Sequence, residues 1–117
     1  MTPPEPAKFT PKKGQFARVR GVAQFYNLYC AACGSHILLY QKDGIGTFKR
    51  LYLDRIFAPA QLAAWQSFGA ISAVPNLTCP QCQALIGVPM IYRPENRFAV
   101  RLVPGAFSKR KSDGLLT

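Results

Sequence analysis

The sequence predicts a small β-rich α+β domain closed by one metal ion, and three observations carry that expectation. All four cysteines fall into two Cys-x-x-Cys pairs, Cys30 with Cys33 and Cys79 with Cys82. Residues 37–40, 47–53, 85–92 and 97–103 read as strands, rich in β-branched and aromatic side chains or strictly alternating, and Gly- and Pro-containing turns separate them. Only residues 59–68 show helical spacing. At 117 residues and 49% hydrophobic content, the chain has room for one domain with a modest core that a metal would reinforce.

Residues 1–14 hold Pro3, Pro4, Pro6 and Pro11 with Lys8, Lys12 and Lys13. That composition buries too little apolar surface to offset chain entropy, so a flexible basic arm is expected. It contains no apolar segment of the secretory kind, which places the expected chain in a reducing, cytoplasmic setting. The folded domain is expected over 15–107. From Gln15, Ala17 and Val19 alternate with Phe16, Arg18 and Arg20, a strand pattern with an aromatic ring and two arginines on one face. Residues 25–29 then deliver the chain to the first cysteine pair.

Beyond that pair, residues 37–40 and 47–53 read as a hairpin around the turn at 42–46. Lys42, Lys49, Arg50 and Arg55 stand there beside Tyr40, Phe48 and Tyr52, whose rings serve either as core or as platforms for bases. Residues 56–92 carry no charge. Pro59, Pro75, Pro80 and Pro89 interrupt the segment, so no run reaches the ~18–20 apolar residues of a membrane span. Pro59 at a first helical position, Leu62, Trp65 and Phe68 at helical spacing and Gly69 as a stop give one short helix, with Trp65 as its core anchor. A strand follows over 85–92. In 97–103, Phe98, Val100 and Leu102 share one face, and Arg97, Ala99 and Arg101 share an outward one. Pro104 and Gly105 end it. Residues 108–117, with Lys109, Arg110 and Lys111, are expected as a flexible basic tail.

The cysteines need a cage of two tight turns. Gly34 after Cys33 permits the positive φ that turns backbone amides toward a thiolate, and Pro80 fixes φ inside the second turn. Gln83 occupies the position where such turns usually carry glycine. Redox pairs and disulfides fit less well, because two pairs flank hairpin signals in a chain without a secretory leader. On these residues the chain resembles the zinc-ribbon class, in which two knuckles at hairpin tips hold one metal. The Cys-x-x-Cys-Gly and Cys-Pro-x-Cys sequences are also similar to those of rubredoxin, whose four thiolates hold iron. The resemblance implies one structural Zn2+ on Cys30, Cys33, Cys79 and Cys82, with iron as the alternative. The interval from Cys33 to Cys79 exceeds the about 15–20 residues common in such sites, so an insertion is expected there.

Fifteen Lys and Arg against five Asp and Glu give a net +10, which falls to about +8 once four thiolates bind a divalent ion. Such an excess points to a polyanionic partner: nucleic acid, RNA or DNA, or a ribonucleoprotein. Arg18, Arg20, Lys49, Arg50, Arg97, Arg101, Lys109, Arg110 and Lys111 are the expected contacts. An alternative is an adaptor that docks on a protein complex through the uncharged segment 56–92. A rubredoxin-like electron carrier is a third. Catalysis finds no footing: a closed thiolate site leaves no open coordination position, the acids are scattered, and the single His36 reads as a polar neighbour of the first knuckle.

Overall fold

The computed structural model describes residues 23–44 and 46–112. Among the described residues, eight strands form two antiparallel sheets of four. In chain order they are β1 (Ala23–Cys30), β2 (His36–Asp43), β3 (Arg50–Tyr52), β4 (Ile56–Ala58), β5 (Leu77–Thr78), β6 (Leu85–Tyr92), β7 (Arg97–Leu102) and β8 (Phe107–Ser112), with one helical turn, α1 (Ala60–Ala63), after β4. The first sheet has the order β4-β2-β1-β8 and the second β3-β7-β6-β5.

Alternation decides the packing. Leu28 of β1, Leu38 and Tyr40 of β2 and Ile56 of β4 meet Leu51, Leu77, Ile86, Val100 and Leu102 of the second sheet in one buried core. On the other face of the first sheet, Phe25, Leu39 and Ala58 form a smaller cluster with Phe57. Gly87 has a packing reason: a Cβ there would collide with the Val100 side chain and stand 2.9 Å from the Arg101 carbonyl oxygen, so only glycine lets β6 and β7 approach as they do.

Strands 85–92 and 97–102 occupy the positions expected for them. The helix is shorter. Pro59 is its N-cap, Ala60–Ala63 is α-helical, and Ala64–Ser67 tightens to a 3-10 turn. Leu62, Trp65 and Phe68 are half-buried against the core rather than enclosed by it.

Two expectations are corrected. Residues 37–40 and 47–53 do not form a hairpin: β2 uses both edges, on β1 and β4, while β3 joins β7 in the other sheet. The reason is long-range pairing, since the Leu102 amide donates to the Lys49 carbonyl and Arg55, just before β4, holds Asp43 at the end of β2. The segment 44–49 is therefore a crossover between sheets. Secondly, residues 108–112 are not tail. They pair along β1 from Phe25 opposite Ser112 to Cys30 opposite Phe107, and their cations suit an edge strand that must not recruit another. The expected arm at 1–14, the arginine strand with Arg18 and Arg20, and residues 113–117 lie outside the described residues. Among those described, no helix is long and apolar enough to cross a membrane.

Candidate metal centre and basic cleft

Each cysteine pair closes a hairpin, the first between β1 and β2 and the second between β5 and β6. The two turns repeat one hydrogen-bond scheme. In the first, the Cys30 amide donates to the Ser35 carbonyl and the Gly34 amide to the Cys30 carbonyl, both at 2.8 Å. In the second, the Cys79 amide donates to Ala84 and the Gln83 amide to Cys79, both at 2.9 Å. Gly34 and Gln83 hold the same place and the same left-handed backbone, φ 77° and φ 65°. Glutamine therefore adopts the knuckle conformation that glycine adopts freely, and an amide of the turn, that of Gln81, points at the Cys79 sulfur at 3.4 Å.

These hairpins belong to different sheets, yet they bring the four Sγ atoms within 4.8 Å of one another. Cys30 and Cys82 are 3.6 Å apart, Cys33 and Cys79 3.5 Å. Four thiolates at about 2.3 Å from a tetrahedral ion stand about 3.8 Å apart, so the spacing fits one metal. It does not fit disulfides, whose sulfurs lie about 2.05 Å apart, and all four cysteines are free. The first cysteine of each knuckle is buried and the second exposed. Hydrogen bonds to the Ser35 hydroxyl and amide pull the Cys33 thiol down to about 6. The Ala84 amide acts the same way on Cys82, but its sulfur neighbours and burial outweigh it and push that thiol up to about 12. Touching thiols resist ionising together; a divalent cation removes that resistance and displaces their protons. His36 stands aside, its Nε2 hydrogen-bonded to the side-chain Oδ1 of Asn27 at 2.8 Å and its ring edge-on to Tyr29.

The cations separate into two groups. Arg97, expected on an outward face, is buried: its guanidinium lies 3.7 Å over the Tyr52 ring and binds Asp54 at 2.6 Å and Glu95 at 3.2 Å. Asp54 and Glu95 compensate it, so a phosphate has little to gain there. Arg55 is likewise consumed by Asp43 at 2.9 Å, both side chains being almost fully buried. Lys49, Arg101, Lys109, Arg110 and Lys111 are exposed and Arg50 half-buried. Among the described residues, none of these six has an ion-pair partner.

The structure gathers part of that second group around a cleft of about 250 Å³ where the chain crosses from β2 to β3, lined by Tyr40, Lys42, Phe48, Lys49, Arg50, Tyr52 and Tyr92 among others. Arg50 lies 4.1 Å over the Tyr92 ring. Lys109 reaches in from β8, 4.9 Å over Phe48, and that ring meets Tyr26, Tyr40 and Phe107 edge-on. Arg101 extends the same surface beside Arg50. Arg110 points to the opposite face of the sheet, over Tyr29. Tyr92 and Tyr26 were not legible as site residues: only the pairing of β6 with β7 and of β1 with β8 carries them to the cations.

Compared with protein-family models, curated proteins and solved structures, the chain matches none.

Proposed function

We propose that the protein is a non-catalytic binding module, stapled by one zinc ion, that holds a nucleic acid, free or within a ribonucleoprotein, chiefly through phosphates. One observation carries this reading. Every carboxylate among the described residues, Asp43, Asp54 and Glu95, is engaged by the buried Arg55 and Arg97, which leaves Lys49 and Arg50 at the cleft, Arg101 of β7 and Lys109, Arg110 and Lys111 of β8 without a carboxylate partner among those residues. Self-repulsion of that kind has a cost, and a polyanion removes it. Zinc suits the part because a closed set of four thiolates adds no chemistry and ties the β1–β2 hairpin of one sheet to the β5–β6 hairpin of the other. An iron site of the rubredoxin kind would colour the protein.

Titration of labelled RNA and DNA at low and near-physiological salt tests the reading. With about five cations on phosphates, log K falls against log salt with a slope of about −3.5 to −4.5. Absence of binding at low salt removes it. The adaptor reading rests on Leu85 and Val88, apolar side chains 43% and 42% exposed within the uncharged segment. Salt-insensitive capture of a protein partner would favour it instead.

A further inference from the structure

The cleft is more specific than a charged surface needs to be. We infer, resting on the nucleic-acid reading above, that it is a subsite for one unpaired nucleotide, so that the protein selects single strands over duplex.

Its walls are flat rings and its rim is cationic. Phe48 and Tyr92 supply half-buried aromatic surface with the buried Tyr52 behind them, Lys49 and Arg50 supply charge without a carboxylate partner, and Lys109 borders the Phe48 side. Base faces stack on rings and on guanidinium planes, and phosphates pair with the flanking cations. Asp43 also lines the cleft, but Gln41 donates to one of its oxygens at 2.7 Å and Arg55 to the other at 2.9 Å, so its charge is already answered. At the buried side, the Tyr40 oxygen accepts the Tyr52 amide at 2.8 Å. Its own proton has no acceptor among the described residues, and burial keeps the phenol protonated by raising its pKa. The cleft therefore presents one neutral donor to a base edge or a sugar oxygen.

Size points the same way. About 250 Å³ lies below the range of roughly 300–1,000 Å³ that holds drug-sized ligands, and it admits one base with part of its sugar rather than a helix. A duplex can fill it only by extruding a base, at a cost of a few kcal/mol. An unpaired strand avoids that cost.

The test compares a single strand and a duplex of equal length at one salt concentration, with RNA and DNA side by side and a 2-aminopurine in the single strand. Single strands, of either or both sugars, should bind about tenfold or more tightly than duplex, and the 2-aminopurine emission should be quenched on binding. Tyr92→Leu keeps apolar bulk and removes the ring; it should weaken single-strand binding about fivefold or more while duplex binding holds. Metal content and the urea midpoint of the variant confirm that it is folded; Arg50→Gln, which removes a cation as well as a stacking plane, provides a second variant that should weaken both forms, the single strand more. Equal affinity for both forms, with unquenched emission, overturns the subsite and leaves phosphate binding standing. Equal competition by a polyglutamate peptide also overturns it. Failure to bind any nucleic acid at low salt overturns both.

Discussion

Arg50 of β3 stands directly opposite Arg101 of β7, two cations paired across a sheet with no carboxylate beside either among the described residues. Like charges in that position destabilise a sheet, so the pair is a local choice that folding alone does not favour. Arg101→Gln should leave the urea midpoint unchanged or slightly raised. The same variant should weaken nucleic-acid binding for every sequence alike and reduce the salt slope by about one. Chemical denaturation and a salt titration on one preparation check both halves.

Arg97 should behave in the opposite way. Its ion pairs with Asp54 and Glu95 and its stacking on Tyr52 are structural, so Arg97→Ala should leave the salt slope of binding as it was. Stability should fall by about 2–3 kcal/mol. That is less than the about 3–5 kcal/mol lost when a fully buried pair is broken, because the Asp54 side chain is 44% exposed. Urea denaturation of the metal-loaded variant measures it.

Gln83 holds φ 65° in the second knuckle, a conformation that costs a side-chain-bearing residue about 1–2 kcal/mol. Gln83→Gly should stabilise the metal-loaded protein by about 0.5–1 kcal/mol, once the greater freedom of glycine in the unfolded chain is subtracted. Gly34→Ala should do the reverse. Nothing lies within 4 Å of the added Cβ, so its loss of about 1–2 kcal/mol is conformational rather than steric. Thermal or urea midpoints of the two variants should move in opposite directions.

Trp65 is half-buried on a 3-10 turn, packed on the core and tilted against Phe68 at 6.4 Å. Trp65→Ala should cost about 1–3 kcal/mol, below the about 3–5 kcal/mol of an enclosed ring. The emission maximum of the native protein should fall between the buried and solvent extremes, and it should shift red on unfolding.

Local patterns made part of this molecule legible. The Cys-x-x-Cys spacing placed both knuckles, the chain returning from the second knuckle placed β6, and alternation placed β7, because each depends on neighbours within a few residues. The misreadings share one cause. The partner of residues 50–52 is β7, the partner of residues 107–112 is β1, and the acid that engages Arg97 across the fold is Asp54, all far away in sequence. A Gly-rich crossover at 44–49 resembles a hairpin turn, and an edge strand of Ser108, Lys109, Arg110 and Lys111 resembles a solvated tail, until the strand beside each is known. The basic and aromatic mixture around Phe48 was visible, but the cleft needed Tyr92, carried by β6 two strands away from β3 in the second sheet, to close it.

Metal content, read with its effect on folding, is the most direct measurement. Purified and reduced protein should contain one equivalent of zinc per chain. Removing it with a chelator should abolish cooperative unfolding, since Cys30 and Cys33 come from one sheet, Cys79 and Cys82 from the other, and no preformed cage exists in the unfolded chain. Less than about half an equivalent of any metal, with an unfolding midpoint that chelator does not move, would contradict the staple on which the whole arrangement depends.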